Sequence, residues 1–273
     1  MLTKQQLTDI ERLQEECERF DQIQLKLNGE MLRKRESDQL DYFYYENGAL
    51  IAFLALYPFG STVEVCGMVA PLERRKGHFQ RLFRDAMAYV GQGGYNKILL
   101  NTPAGSVSGK AFLLEQGAQY AFSEYQMEWQ IRPYEDVIGI RLRPAEPEDF
   151  EMRIRLNATA FGLSEEDSRA IESRLDIESD TSVYMIEEGG VTVGKIRVSC
   201  EEGQAWIYGF SILPDYQGRG IGRNVLRQVV RDQSGAGYSV HLEVETKNAQ
   251  ALGLYESVGF KVVHAQDYYR YSV

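Results

Sequence analysis

The chain has 273 residues, 44% apolar and 26% charged, the composition of a folded globular protein rather than a disordered one, and its length suits two cores of about 135 residues each. A formal net charge of −10 and a pI near 5.0 oppose nucleic-acid binding and favour a cationic partner such as an amine. The 3 cysteines form no Cys-x-x-Cys pair, the 3 histidines show no zinc spacing, and no apolar run or leader is long enough for a membrane span or export signal, so neither metal nor membrane is expected and a cytoplasmic location is.

Taken in order, residues 3–27 read as a helix: Thr3 and Gln6 can form a capping box, and Leu7, Ile10, Leu13, Cys17 and Phe20 recur at helical spacing. Asn47-Gly48 between Tyr42–Tyr45 and Leu50–Tyr57 predicts a hairpin, and Thr62–Val69 a further strand ending before Pro71. The basic turn Arg74-Arg75-Lys76-Gly77 then leads into a helix carrying Leu82, Phe83, Ala86, Met87 and Val90. Gly105-Ser106-Val107-Ser108-Gly109-Lys110-Ala111 falls short of a P-loop, with three residues between its glycines instead of four and Ala111 where Ser or Thr is needed. Gln126–Ile131 reads as the closing strand of a first domain, and Arg132–Asp136 as a polar connection.

A second domain is expected from Gly139, giving domains 1–138 and 139–273. Ile140–Pro144 alternates as a strand; Glu146–Asp149 starts a helix running towards Phe161, and Ser164 with Asp167 opens another to Leu175. Val183–Glu187 and Val191–Cys200 form a hairpin through Glu188-Gly189-Gly190, and the strand Trp206–Ile212 ends at Pro214. After it, Gln217-Gly218-Arg219-Gly220-Ile221-Gly222-Arg223 opens a helix bearing Val225, Leu226, Val229 and Val230. A helix N-terminus has unpaired N–H groups and the positive end of the dipole, so this glycine-rich turn is an anion site.

The spacing Gln217-x-x-Gly220-x-Gly222 after such a strand resembles the acetyl-coenzyme A pyrophosphate loop of the GCN5-related N-acetyltransferases (GNAT). Further on, Leu242-Glu243-Val244, Asn248, Ala251, Leu254-Tyr255-Glu256 and Gly259-Phe260 resemble the second signature of that superfamily. The resemblance implies an α/β fold: two tandem GNAT-like domains, each a mixed, mostly antiparallel sheet flanked by helices and splayed between the strand before the loop and the Leu242 strand. It implies acetyl-CoA as cosubstrate, with Ile212 and Leu213 on the pantetheine arm, Gln217, Gly218, Arg219, Gly220, Ile221, Gly222 and Arg223 at the pyrophosphate, and Asn248 near the pantetheine, capping its own helix, or both. Tyr255 is expected to act as acid towards the departing thiolate. Glu243 and Glu245, on one face of their strand, are candidates for the base, with water or a purely structural role as alternatives.

The two halves repeat one pattern. Pro71, Arg74 and Gly77 match Pro214, Gln217 and Gly220 at an offset of 143, and Gly117 matches Gly259 at 142. Phe79 stands where the second copy has Gly222, Ser106 opposite Asn248 and Leu113 opposite Tyr255. The Phe79 ring is expected to crowd the pyrophosphate position, leaving the first copy degenerate, a wall for the acceptor cleft or an interface with a second copy of the chain. The expected function is transfer of an acetyl group to a primary amine of a small-molecule or peptide acceptor, by direct attack on the thioester. A non-catalytic acyl-CoA sensor or interaction protein, and a tandem enzyme of the mycothiol-synthase type, are the alternatives.

Overall fold

Thr3 accepts from the Gln6 amide and Gln6 returns a bond to the Thr3 amide, so the predicted capping box opens α1 (Lys4–Asp21), whose stripe of Ile10, Leu13 and Cys17 is buried. In this computed structural model the described residues are 1–35, 37, 39–177 and 181–272. A short α2 (Gly29–Arg33) is followed by the hairpin of β1 (Asp41–Glu46) and β2 (Ala49–Phe59), turned by Asn47 and Gly48 at φ 49° and 78°, the left-handed pair that a two-residue hairpin needs. Next come β3 (Thr62–Val69), α3 (His78–Val90), β4 (Lys97–Pro103), α4 (Val107–Glu115) and β5 (Gln119–Trp129). The second half runs β6 (Arg141–Pro144), α5 (Phe150–Phe161), α6 (Glu165–Leu175), β7 (Thr181–Glu188), β8 (Val191–Glu201), β9 (Gln204–Ile212), α7 (Ile221–Gly235), β10 (Ser239–Glu245), α8 (Ala249–Val258) and β11 (Phe260–Tyr271).

The chain folds into two compact units, Met1–Ser123 with Ala265–Val273, and Glu124–His264. In the first, β2 alternates between two cores: Ala52, Leu54 and Leu56 pack with Leu82, Phe83 and Met87 of α3, while Phe53, Ala55 and Tyr57 pack with Ile10, Leu13 and Cys17 of α1. A strand covered on both faces is apolar throughout, and each fully buried Leu or Phe here contributes about 1.5–3 kcal/mol. In the second unit, Val225, Leu226, Val229 and Val230 of α7 lie on Ile196, Ile207, Val240 and Leu242, and α5 covers β8 and β9.

The strand ends are where structure departs from a contiguous reading. Residues 124–128 of β5 pair antiparallel with 241–245 of β10, and Met127 and Trp129 are buried in the second unit's core. Residues 266–271 of β11 pair with 98–103 of β4, and Tyr269 is buried in a core of the first unit. The strand predicted over 126–131 to close the first domain therefore serves the second unit, and the part of the last strand from Ala265 onwards serves the first. The connection after β5 is strapped to α7 by the Glu135–Arg227 ion pair.

In both units the parallel pair at the centre opens. β9 and β10 pair only over Gln204–Ile207 and Ser239–Leu242, and β3 and β4 only over Thr62–Val65 and Lys97–Leu100. The predicted splay is thus present, and twice. β9 also carries a bulge, its register stepping from Lys195–Ser211 to Arg197–Tyr208 around Gly209 at φ 53°. The matching β2–β3 ladder has no such step. Before the bulge the parallel ladders correspond at an offset of 142, Val65 with Ile207; after it the turns correspond at 143, Pro71 with Pro214. One inserted residue accounts for the change.

Candidate active site

The Gln217–Arg223 turn is set by its backbone angles. Leu213 leaves β9 at φ −54°, ψ 139°, Pro214–Tyr216 form a 3-10 turn, and Gln217 is extended at φ −70°, ψ 160°. Gly218 and Gly220 then take φ 75° and 83°, with nothing within 4 Å of where a Cβ would stand. Gly220 starts α7 without a side-chain cap, so the first N–H groups of that helix face outward over an open turn. This is the arrangement an anionic group needs, and the residues present fit the pyrophosphate of coenzyme A.

The predicted contact residues divide. The Ile212 carbonyl, next to the splay, accepts from Gln217 Nε2 at 2.8 Å, while the Leu213 amide is taken by the Val193 carbonyl at 2.8 Å. Arg219 folds back, donating to the Asp215 carbonyl at 2.6 Å with its guanidinium 4.9 Å from the Tyr216 ring. Arg223 reaches Ser257 Oγ at 3.3 Å. Asn248 accepts from the Ala251 amide at 3.1 Å and caps α8, the second of its two expected roles. Ile221 is buried in the core beneath the turn.

Gly222 has a packing reason that spacing alone does not reveal. A Cβ there would meet Leu254 Cδ2 at 3.1 Å, Ile212 Cδ1 at 3.4 Å and Phe210 Cζ at 3.5 Å, so the side-chain direction at this position is inward. In the first unit Phe79 accordingly turns its ring onto Gly67 and against Phe112, edge-on with centroids 4.9 Å apart. The ring lies against the strand instead of over the turn, contrary to the expected crowding. The first turn keeps its backbone: Arg74 at φ −65°, ψ 156°, Arg75 at φ 65° and Gly77 at φ 84°, ψ 0°.

On α8, Tyr255 is packed against the second unit's core, its ring 6.2 Å from that of Phe260. Burial pushes its phenol up to about 12, so it stays protonated and able to donate across the physiological range. On β10, Leu242 and Val244 face the core while Glu243 is half-buried and Glu245 exposed; in register they stand opposite Gln126 and Glu124.

Two features escaped the sequence reading. His241 is buried on the Glu243 side of β10, stacked on Trp206 with centroids 4.9 Å apart and 2.8 Å from Ser239 Oγ. Burial holds its imidazole below the ordinary value, hence neutral, and its Nδ1 has no partner among the described residues; the strict alternation of Val240–Glu245 already placed it beside Glu243. The second is a buried ion cluster: Glu172 on α6, fully enclosed, accepts from Arg153 Nε at 2.7 Å, from Asn157 at 2.7 Å and from Lys195 of β8. It ties α5 and α6 to the sheet. No local pattern announces it, because its members lie 15 to 23 residues from Glu172.

Comparison with known proteins agrees with this fold. Residues 141–260 match the Acetyltransferase (GNAT) family. Over 67 residues the chain is 46% identical to the N-alpha-acetyltransferase RimI of Mycobacterium tuberculosis, a stretch that is 24% of this chain and 41% of that protein; the chain therefore spans about two fifths of that relative. A GCN5-related N-acetyltransferase from Sphaerobacter thermophilus superposes with a TM-score of 0.79 at 20% identity, covering 96% of this chain and 91% of that one. A tandem GNAT protein from the clavulanic acid biosynthesis pathway gives 0.65 at 16% identity over 85% and 82%. The GNAT family match thus covers residues 141–260, and the chain shares the fold of GNAT proteins, a tandem one among them.

Proposed function

We propose that this protein transfers an acetyl group from acetyl-CoA to a primary amine, with the chemistry in the second unit and with residues 1–138 and 139–273 as the two copies of an ancestral domain. The observation that carries the reading is the uncapped N-terminus of α7 at the mouth of the β9–β10 splay, with Tyr255 on the helix that follows β10. Acetyl-CoA supplies the activated thioester. The amides of the Gln217–Arg223 turn hold its phosphates, and the Ile212 carbonyl, which has a second lone pair beside its bond to Gln217, orients the arm.

Tyr255 donates a hydrogen bond that stabilises the departing thiolate. The amine must lose a proton, and Glu243 and Glu245, through water, are the proposed acceptors on the β10 face; neutral His241 shares that face and is a third. An N-alpha-acetyltransferase among the relatives makes peptide N-termini the first acceptors to test, ahead of polyamines and amino sugars, and the cytoplasm is the proposed compartment. Thiol release measured with acetyl-CoA across such an amine panel tests the reading. Turnover with one class supports it. Coenzyme A binding without turnover on any amine favours the sensor alternative, and absence of coenzyme A binding overturns the whole reading.

A further inference from the structure

The first unit holds a cavity of about 390 Å³ where β3 and β4 part, lined by Met68, Leu100, Phe79, Thr102, Lys26 and Arg75 among others. Two helix N-termini open onto it. His78 and Phe79 of α3 line it beyond Gly77, which provides no side-chain cap; Ser106, Ser108 and Gly109 bring the start of α4 to the same space. Both helix starts that reach the lining carry positive dipole ends, the α4 start with its Gly109 amide held by Ser106 Oγ at 3.1 Å. Thr102 is only 5% exposed and lines the cavity, and His78 Nε2, in the same lining, is buried with no hydrogen-bond partner among the described residues.

Charge in the lining points the same way. Of its acids, Asp21 is held by both Arg74 nitrogens at 2.9 and 2.7 Å, Glu73 is paired with Lys76 at 2.6 Å, and Glu115 ends α4, opposite its N-terminus. An extended amide chain like that proposed at Ile212 is shut out. The Val69 carbonyl, the counterpart of Ile212's, already accepts from Cys17 Sγ at 3.2 Å and from Arg74 Nε at 3.2 Å, which uses both lone pairs. Ile23, Leu25 and Leu27, from the segment after α1, wall the space further.

We propose that this cavity binds a compact amphiphilic anion, a carboxylate or phosphate head on a short apolar body, and that coenzyme A does not enter it. The head sits between the α3 and α4 N-termini, with Arg75, Lys26 and the Thr102 hydroxyl around it; the body lies on Met68, Leu100 and Phe79. A cavity of this size and mixed lining is typical of small-molecule sites.

Calorimetry on the full chain with hexanoate and with hexyl phosphate, each with and without saturating coenzyme A, tests it. Binding of at least one probe is expected, weakened about tenfold or more by Arg75→Glu and by Thr102→Val, indifferent to coenzyme A, whose own stoichiometry does not exceed one per chain. The preferred probe identifies the head group. Arg75 is exposed, so its variant tests the site even where Thr102→Val fails to fold. No heat from either probe at about 10 mM, displacement by coenzyme A, a coenzyme A stoichiometry of two, or unchanged affinity in Arg75→Glu overturns the proposal. None of these outcomes depends on whether the second unit is catalytic.

Discussion

The ring of Phe79 rests on Gly67, so closely that a Cβ on Gly67 would stand 2.6 Å from Phe79 Cε2. The second unit makes the same contact with the partners reversed: the ring belongs to Phe210 of the strand and the glycine is Gly222 of the helix. One space between strand and helix takes one aromatic ring, and the two copies supply it from opposite sides. Gly67→Ala, which also drives a Cβ onto the Phe53 carbonyl, is expected to destabilise the first unit by about 1–3 kcal/mol. Gly222→Ala meets only the flexible end of Leu254 closely and should stay within about 1 kcal/mol of wild type. Denaturant unfolding of both variants checks the contrast; equal losses would refute the packing account.

Tyr255→Phe removes the donor and leaves the packing against Phe260. Turnover is expected to fall about 100-fold with the acetyl-CoA dissociation constant within about twofold of wild type. Because the phenol is held up to about 12, any basic limb in the rate profile below pH 10 belongs to another group. A proportional loss of affinity and turnover would mean that Tyr255 only supports the fold.

The Glu172 cluster gives a stability prediction with a pH signature. Burial works against the Glu172 carboxylate, but Lys195 and Arg153 together hold it below its ordinary 4.5. An acid with a lowered folded pKa stabilises above its unfolded value, and that contribution is lost as pH falls from about 4.5 through the folded value. Glu172→Ala leaves two cations buried without their shared partner and is expected to cost about 3–5 kcal/mol. It should also flatten the acid limb of the stability profile. A variant as acid-sensitive as wild type would count against the cluster as its source.

Neutral His241 adds a loss of the same sign to that experiment at milder pH. With its folded pKa depressed by burial, the unfolded chain binds the extra proton first, so stability falls as pH drops below about 6.5. His241→Phe, which keeps the stack on Trp206, should remove that slope; its persistence would assign the slope elsewhere.

Fragments test the strand arrangement. Residues 139–273 lack the 124–128 segment that pairs with β10 and the buried Met127 and Trp129, so this fragment should show no cooperative thermal transition. A fragment starting at Glu124 should recover one by circular dichroism. Equal cooperativity in both would show that the contiguous copy is self-sufficient.

The sequence by itself determined the local elements. The capping box at Thr3, the Asn47-Gly48 hairpin and the glycine turn at 217–222 rest on residues a few positions apart, where backbone angles and periodicity decide the outcome, and the repeat at an offset near 143 rests on matching such local patterns to one another. Tertiary structure alone decided which segment closes each unit, which way Phe79 faces, and that Glu172 meets Arg153, Asn157 and Lys195. A strand's pattern states which face is apolar, not which edge it joins. A bulge at Gly209 re-aims everything after it, and buried charges find partners across gaps that no spacing rule spans.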